Sequence, residues 1–508
     1  MATRANLQSI RIMSQVMGPQ GLPLVNSLPI EYHSVMRRCC LLLLCLLALP
    51  SHAEPAPAPN IILCMADDLG WGDTGFNGHP RIVTPHLDDM ARSGVRLTRF
   101  YAGAPVCSPI RGSCLTGRNP FRYGVPTANT GHLRKEELSL PEFLSEKGYT
   151  SGLFGKWHLG TLSPRFSGKG AGRKAAKNFM NPGMAGFAEW FASEFSIATY
   201  NPYEPANGHC QAAREGDMRA LFWHNGKPLE KPLPGCASRM VTDKALPFIS
   251  ASVRERKPFL AVIWFHAPHL PVVGHPEYMT AHYRGLPDNQ QHYFSCITAL
   301  DAQVGRLRAH LRALNIEETT MLCFASDNGP EGNPGPRGNS QGTAGKFRGR
   351  KRSLYEGGLR VPAVIEWPGT LHPREVDAPC VSSDYFPTIA AMLELPLSDR
   401  PYDGINMLPI LKGEQKQRGS AIGFQFGRDR TLVTDRYKLV HNAGGLKRHR
   451  SDNGKAPVAR FELYDLGSDP FETKNLSASL PRVVSRMKDE LAAFIRSCEA
   501  SAGGADYR

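Results

Sequence analysis

The chain has 508 residues, of which 41% are hydrophobic and 21% are charged. That balance is typical of globular proteins, so disorder and a coiled coil are excluded for the bulk of the chain, and the length favours one large domain with a smaller one. Lys and Arg outnumber Asp and Glu by 60 to 46, giving a formal net charge of +14. This charge favours an anionic partner without choosing between nucleic acid, an anionic surface and an acidic substrate.

Residues 36–53, MRRCCLLLLCLLALPSHA, have the pattern of a secretory signal peptide. Two arginines precede an apolar run that is too short to span a bilayer, and small residues follow it. Because this pattern starts at an internal methionine, we predict that residues 1–35 are an extension outside the natural product. We expect an exported protein without a membrane span, periplasmic or extracellular in a bacterium, the origin we favour, or lysosomal in a eukaryote. The alternative is a buried core helix.

Three of the 12 cysteines lie in the predicted signal peptide, and the others are scattered without a CxxC pair. An exported protein can form disulfides. Cys210 and Cys236 are the pair that we consider, because both lie in a stretch rich in turn residues. The sequence leaves this disulfide open.

Short apolar runs bounded by turn residues predict buried strands at 60–65, 149–154, 258–265, 319–325 and 361–366. Helical patterns occur at 85–93, after Cys107, and at 237–253, 293–314 and 385–395. This alternation predicts an α/β fold over residues 54–410, a mainly parallel sheet sandwiched by helices. Residues 161–238 are rich in Gly, Pro and Asn, and we expect a long irregular insertion there.

The pattern changes near residue 411. Residues 431–441 and 460–465 are predicted to form antiparallel strands, and residues 481–497 a terminal helix. We therefore expect a smaller α+β domain over residues 411–508.

Polar side chains follow four of the predicted strands: Asp67 and Asp68, Lys156 and His158, His266 and His269, and Asp327 and Asn328. In α/β sheets, ligands bind beyond the carboxyl ends of the strands, so these groups predict one active site. The carboxylate and amide oxygens suit Ca²⁺ or Mg²⁺ rather than Zn²⁺. A single Asp-Asp pair is more often a helix cap or a turn, but two pairs around one site favour a metal.

The most informative segment is CSPIRGSCLTGR, which begins at Cys107. It resembles the signature of the sulfatases, in the alkaline-phosphatase-like superfamily, although that signature usually has Ser at the position of Ile110. Further matching motifs are ADDLGWGD, GKWHLG, HAPH, SDNG, KRSLYEGGLRVP and LYDLGSDPFETKNL. The resemblance, to arylsulfatases and N-acetylgalactosamine-6-sulfatases, covers nearly all of the chain after the signal peptide and implies an alkaline-phosphatase-like fold.

For Cys107, the resemblance implies oxidation to Cα-formylglycine (3-oxoalanine) by a formylglycine-generating or anaerobic sulfatase-maturating enzyme. The aldehyde hydrates to a diol, and one hydroxyl attacks sulfur and displaces the alcohol. The second hydroxyl then loses its proton, and sulfate is expelled, which is covalent catalysis with built-in turnover. Residue type alone would favour an unmodified buried or disulfide-bonded cysteine.

The resemblance also implies a metal site and assigns its ligands. One Ca²⁺, with Mg²⁺ as the less favoured ion, is held by Asp67, Asp68, Asp327, Asn328 and the modified Cys107. The cation polarises the sulfate and favours an ionised attacking oxygen.

Five other catalytic roles come from the resemblance. Arg111 holds the diol, and Lys156 and Lys351 hold the sulfate oxygens. His158 removes a proton from the diol, and His269 donates one to the leaving oxygen. Lys156, His269 and Lys351 are thus also substrate-binding residues. His266 either orients His269 or only packs.

Lys351 lies in a basic run at 346–352, a pattern more often found on a solvated face. A nucleic-acid patch is the other interpretation, but the signal peptide argues against it. We expect Arg348, Arg350 and Arg352 to bind further anionic groups of a polymeric substrate. Specificity is expected in residues 161–238, where the cations available for anions are Arg165, Lys169, Arg173 and Lys174.

The sequence therefore predicts a sulfuric ester hydrolase acting on a small-molecule or carbohydrate sulfate, without a nucleic-acid partner. One alternative is a phosphomonoester or phosphonate hydrolase of the same fold, although such phosphatases typically use two zinc ions and a Ser or Thr. The other is a non-catalytic sulfoglycan-binding protein, if Cys107 stays unmodified.

Overall fold

The computed structural model describes residues 58–128, 130–165, 167, 174–204, 221–332, 334–335, 340–443 and 459–507. The predicted extension at 1–35, the predicted signal peptide at 36–53 and Cys210 lie outside the described residues. The proposed disulfide therefore stays a prediction. Within the described ranges, no helix combines the length and the apolar character needed to cross a bilayer.

A mixed sheet of ten strands forms the centre of the described chain. In order across the sheet, its strands are β12 (Arg374–Val376), β2 (Val95–Leu97), β11 (Ala363–Glu366), β9 (Thr320–Ser326), β1 (Asn60–Ala66), β8 (Phe259–Trp264), β4 (Thr150–Lys156), β5 (Glu189–Ser193), β6 (Trp223–His224) and β7 (Lys227–Pro228).

The five strands from β9 to β5 are mutually parallel, so their carboxyl ends meet at one edge of the sheet. In the central strand β1, Ile61 pairs with Leu260 of β8 and with Met321 of β9. Every residue of these three strands is buried, as expected for parallel strands that are covered on both faces. In this sheet the antiparallel pairs are those of β11 with β9 and β2, and those of β6 with β5 and β7.

The described α-helices are α1 (Pro85–Ser93), α2 (Cys107–Thr116), α3 (Leu140–Ser145), α4 (Ala237–Arg254), α5 (Pro276–His282), α6 (Asp288–Ala313), α7 (Glu356–Leu359), α8 (Tyr385–Met392), α9 (Leu408–Lys412) and α10 (Pro481–Ala502). Successive residues of β1 point to opposite faces of the sheet. Leu63 belongs to a core that includes α2, α3 and α8, whereas Ile62 belongs to one that includes α1, α4 and α6. The predicted sandwich of a mainly parallel sheet between helices is thus confirmed.

Most predicted elements occur close to their predicted bounds, and two differ. The helix predicted from residue 293 begins at Asp288, because its first turn consists of polar residues only and carries no amphipathic signal. The stretch at 161–238 is not irregular throughout, since β5 joins the main sheet beside β4. Five residues, EWFAS, are too few to reveal a period.

A second, antiparallel sheet lies near the C-terminus, as predicted, and α10 follows it. Its strands, in order, are β14 (Ile422–Phe426), β15 (Asp429–Val433), β16 (Tyr437–His441) and β17 (Phe461–Asp465). A three-stranded sheet is made of β3 (Phe100–Tyr101), β10 (Arg360–Val361) and β13 (Cys380–Val381). The predicted domain boundary at residue 411 falls within α9 and stays a prediction.

A buried ion cluster links the C-terminal sheet to α7. The ammonium of Lys438 lies 2.9 Å from Oε1 of Glu356 and 2.9 Å from Oε1 of Glu472, and all three side chains are buried. Glu356 also accepts a hydrogen bond from the Tyr101 hydroxyl at 3.0 Å. Glu356 also lies 3.5 Å from Arg360 Nη1, but among the described residues Lys438 is the cation that pairs with Glu472, so its removal would leave that buried carboxyl group without a compensating charge.

We therefore expect Lys438→Met to lower the free energy of unfolding by about 3–5 kcal/mol, the usual cost of removing one partner from a buried ion pair. Lys474→Met, at an exposed position in the same part of the chain, is the matched control and should change stability little. Thermal and denaturant unfolding measure both effects. Equal stability of the two variants would contradict the structural role of the cluster.

Candidate active site

The predicted acidic pairs come together because of the register of two parallel strands. Ala66 at the end of β1 pairs with Ser326 at the end of β9, so the residues that follow lie side by side. The backbone N–H of Asp68 donates to Oδ1 of Asp327 at 2.9 Å, and that of Asp327 donates to the Ala66 carbonyl at 3.1 Å.

Asp67, Asp68 and Asp327 form a buried carboxylate cluster at this edge of the sheet. One oxygen from each of them lies within 4.8 Å of the other two. No more than 1% of any of these residues is exposed. Three carboxylates so close together and away from water require compensating positive charge.

Three cations face the carboxylate cluster, one for each member. Lys156 Nζ donates to Asp67 Oδ2 at 2.6 Å. Lys351 Nζ donates to the two oxygens of Asp68 at 2.5 and 2.7 Å. Arg111 Nη2 donates to Asp327 Oδ2 at 2.9 Å. Lys156 and Lys351 thus lie at the cluster.

The pKa values of two members diverge. Burial acts to raise the pKa of Asp67, but the charges of Lys156, His269 and Arg111 outweigh it and hold this pKa well below its usual range. Burial and the negative charge of Asp67 raise the pKa of Asp327 well above its usual value. The raised pKa of Asp327 means that the ionised form of this carboxyl group is unfavourable in its surroundings. Further positive charge would therefore stabilise the ionised cluster.

Two buried oxygens at the cluster point to a cation. Asp67 Oδ1 and Asn328 Oδ1 have no hydrogen-bond partner in the part of the chain that the structure describes. The amide nitrogen of Asn328 donates to Asp68 Oδ1 at 2.6 Å, which leaves its oxygen available. Buried oxygens without partners, beside three carboxylates, fit a hard divalent cation.

Cys107 begins α2 and lies against the cluster. Its sulfur, a carboxylate oxygen of Asp67 and a ring nitrogen of His269 all lie within 4.8 Å of one another. Arg111 is one helical turn further on, on the same face of α2. Its guanidinium lies 5.1 Å from the centre of the Trp264 ring, at the end of β8. The strand ends and the start of α2 therefore converge on one point.

The histidines differ in their surroundings. Nε2 of His269 is 3.5 Å from Asp68 Oδ2, and Nδ1 is 2.5 Å from the Leu270 carbonyl oxygen. Burial lowers the pKa of His269 to about 4, although Asp68 acts to raise it. His158 is buried and follows β4. The ring of His266 packs on Phe222 and its Nε2 lies 3.4 Å from Ser193 Oγ, while its backbone carbonyl accepts a hydrogen bond from the N–H of His269.

A pocket of about 310 Å³ opens above these groups. Its lining residues are Val106, Cys107, Thr127, Ala128, His158, His269, Glu331, Lys351, Arg352 and Phe426. The predicted catalytic side chains thus either line the pocket or, like Arg111 and Lys156, contact the carboxylate cluster.

Several residues at the site were not predicted, including Val106 and Ala128 of the pocket lining. Thr127, Glu331 and Phe426 line the pocket, and Ser196 Oγ donates to Asp67 Oδ2 at 2.8 Å. Glu331 follows closely on the SDNG motif, and that proximity was a usable signal. Phe426 comes from the C-terminal sheet, and no local pattern indicates that it reaches the pocket.

The predicted use of the basic run is wrong for two of its three arginines. Arg348 lies 3.8 Å from the centre of the Tyr355 ring and donates to the Tyr464 hydroxyl. Arg350 donates to the backbone carbonyls of Glu331 and Gly342. Arg352 alone of the three lines the pocket.

The cations expected to confer specificity do not line this pocket. Arg165 and Lys174 are exposed elsewhere on the described surface. Lys169 and Arg173 lie outside the described residues.

Two family models match the chain. The sulfatase model covers residues 59–395, and the model for the C-terminal part of N-sulphoglucosamine sulphohydrolase covers residues 344–497. The first spans the whole carboxylate cluster, Cys107 and most of the pocket.

Known proteins resemble the chain over most of its length. It is 34% identical to mouse N-acetylgalactosamine-6-sulfatase over 394 residues, which are 74% of this chain and 71% of that protein. It is 32% identical to human arylsulfatase A over 479 residues, 87% of this chain and 89% of that protein. Among solved structures, Ps i-CgsB in complex with a neocarrahexaose matches with a TM-score of 0.72 and 25% identity, covering 86% of this chain and 92% of that one.

The family match, these relatives and the alkaline-phosphatase-like sandwich with its smaller C-terminal domain agree. The chain belongs to the sulfatase family and is a sulfuric ester hydrolase.

Proposed function

We propose that the chain hydrolyses sulfate monoesters of carbohydrates through a Cα-formylglycine made from Cys107 and one bound Ca²⁺. The observation that carries this proposal is the position of Cys107, buried at the pocket beside Asp67 and His269. A thiol packed only for structure needs neither a carboxylate cluster nor a pocket next to it. A modified residue at this point would face the substrate and the cation together.

Asp67, Asp68, Asp327 and Asn328 would hold the ion, with residue 107 completing the set. All of these donors are oxygens once Cys107 is modified, which supports Ca²⁺, with Mg²⁺ as the second choice. The bound ion would supply charge that polarises the sulfate oxygens. Ser196 fixes the carboxylate of Asp67 by its hydrogen bond at 2.8 Å.

The hydrated formylglycine would supply an oxygen nucleophile and a second hydroxyl that allows sulfate to be released without attack of water on sulfur. Arg111, one turn along α2, is within reach of residue 107 and orients it. His158, which lines the same pocket, accepts a proton from a hydroxyl of residue 107. The cations Lys156 and Lys351 bind the sulfate oxygens and stabilise charge that develops there.

His269 donates a proton to the leaving oxygen. In the neutral ring, the contact of 2.5 Å with the Leu270 carbonyl keeps the proton on Nδ1. Donation from Nε2 therefore requires the doubly protonated ring. The low pKa of His269 makes that form a strong proton donor for a poorly leaving sugar alkoxide, although little of it is present at neutral pH.

The carbohydrate class rests on two supports. The name of the mouse relative specifies an amino-sugar sulfate, and the solved neighbour is a complex with a neocarrahexaose. A pocket of about 310 Å³ lies at the small end of the usual range for ligand sites and suits a single sugar residue.

Export and maturation complete the proposal. The signal-like segment at 36–53 supports an exported enzyme, periplasmic or extracellular in a bacterium or lysosomal in a eukaryote. Modification of Cys107 requires a formylglycine-generating or anaerobic sulfatase-maturating enzyme as a partner.

Mass spectrometry of the peptide that contains Cys107 tests the proposal. In protein produced with a maturating enzyme, we expect the thiol to be replaced by an aldehyde, with loss of sulfur and two hydrogens and gain of one oxygen. Cys114, on the same helix, is the internal control and should stay a thiol.

Turnover is measured on the same sample. The modified protein should hydrolyse para-nitrophenyl sulfate faster than para-nitrophenyl phosphate. A preference for phosphate would support the phosphatase alternative, and absence of both modification and turnover would support a binding protein.

Substitution of His269 tests its role as a proton donor. His269→Asn should lower kcat/KM for a sugar sulfate about a hundredfold, within the usual range for loss of a general acid. The loss should be much smaller for para-nitrophenyl sulfate, because nitrophenolate leaves without a proton.

In the wild type, kcat/KM for the sugar sulfate should fall as the pH rises above about 4, since the protonated ring is then depleted. His282→Asn, at an exposed position, is the control. Equal losses on the two substrates would refute the assignment.

A further inference from the structure

We infer that Glu331 is a specificity-determining residue, which makes the pocket select a sugar whose only negative charge is the scissile sulfate. This inference rests on the proposed function and adds to it a substrate class: a neutral, singly sulfated sugar residue, as opposed to a sulfated uronic acid or a residue with two adjacent sulfates. The observation behind it is that Glu331, a carboxylate, lines the pocket in which the sulfate anion is proposed to bind.

Glu331 lies at the pocket, beside the residues proposed to bind sulfate. Its Oε1 accepts a hydrogen bond from Arg352 Nη1 at 2.6 Å, and its Oε2 lies 3.2 Å from Lys351 Nζ. The side chain is 16% exposed, and it lines the pocket. Burial acts to raise the pKa of Glu331, but Arg352 and Lys351 outweigh it and lower this pKa to about 2. Glu331 is therefore ionised at any working pH.

The charges of the pocket wall explain why this carboxylate matters. Among the described residues that line the pocket, Lys351 and Arg352 are the permanent cations and Glu331 is the carboxylate. Lys351 also pairs with Asp68 inside the carboxylate cluster, whereas the side chain of Arg352 is 55% exposed. Without Glu331, Arg352 would offer a second anion a binding site. With Glu331, that cation is neutralised.

The backbone of Arg352 is also unusual. Its φ is +71°, a conformation that a non-glycine residue adopts at an energetic cost. Its N–H donates to the Pro105 carbonyl at 2.9 Å, which holds this conformation next to Cys107. The Arg352–Glu331 pair is thus held at the pocket by the backbone and is not a chance contact between two flexible surface side chains.

Apart from the two cations, Glu331 and the catalytic residues, the described wall of the pocket carries no charge. Val106, Thr127, Ala128 and Phe426 contribute methyl groups, one hydroxyl and an aromatic ring. Aromatic rings pack against apolar C–H faces, such as those of pyranoses. A neutral sugar fits this wall, whereas a second anion on the sugar would meet the carboxylate of Glu331 with no free cation beside it.

The test uses two aryl sulfates that differ by one charge, meta-carbamoylphenyl sulfate and meta-carboxyphenyl sulfate. The measured quantity is the ratio of kcat/KM for the carboxylate to kcat/KM for the amide. Comparison of this ratio between variants cancels the leaving-group effect and any general loss of activity. Glu331→Gln should raise the ratio about tenfold, the size expected when one nearby like charge is removed and Arg352 is released.

Two further variants keep the test decisive. Arg352→Gln should lower the ratio, because Glu331 then keeps Lys351 as a partner but loses the charge of Arg352. This result stands even if Glu331→Gln fails to fold. Glu331→Asp keeps the charge and should restore the wild-type preference.

The failures are distinguishable. If Glu331 only positions Lys351, both substrates lose activity together and the ratio stays constant, which would overturn the inference but leave the proposed function intact. A ratio that changes in the opposite direction would overturn it as well. If wild-type protein with a modified residue 107 hydrolyses neither sulfate, the proposed function itself fails.

Discussion

The constraint on which the site depends is the burial of three carboxylates at the ends of two adjacent parallel strands. Asp67, Asp68 and Asp327 are brought together by the register of β1 with β9. Such a cluster is unstable unless positive charge surrounds it. Lys156, Lys351 and Arg111 supply that charge from β4, from the loop before α7 and from α2. The pocket is lined by residues of that loop and of α2, and by His158, which follows β4.

The same requirement links stability to chemistry. The pKa of Asp67 is low and the pKa of Asp327 is high, so the proton that remains on the cluster is held by Asp327. A divalent cation can bind by displacing that proton. The cations that balance the carboxylates are also those proposed to bind sulfate. The C-terminal sheet contributes both to stability and to the pocket. Lys438 pairs with Glu356 of α7, and Phe426 lines the pocket.

Much of the site could be predicted from the sequence, for a physical reason. Parallel strands in a buried sheet are continuous apolar runs, so the polar residues just after them, such as Asp67 and Asp327, are identified together with the strands. Hydrophobic periodicity cannot assign a chemical role to one cysteine among several. The motif around Cys107 made that assignment possible. Helices such as α1 were predictable because their amphipathic pattern and their caps coincide.

The other features of the site and the fold could not be predicted from the sequence, because they depend on contacts between segments that are distant in the chain. A basic run does not indicate which of its arginines stack on tyrosines, as Arg348 does, and which one turns to the pocket, as Arg352 does. Phe426 reaches the site only through the docking of a separate sheet. The strand β5 is too short for its period to be recognised, and its place is set by pairing with β4.

Metal stoichiometry tests the central claim most directly. Wild-type protein dialysed against a chelator and then titrated with Ca²⁺ should bind one ion per chain, measured by calorimetry and by elemental analysis, and its melting temperature should rise. Asp327→Asn, confirmed as folded by circular dichroism, should lose both the ion and the thermal shift. A folded wild-type chain that binds no Ca²⁺, or that binds it as well after this substitution, would contradict the account.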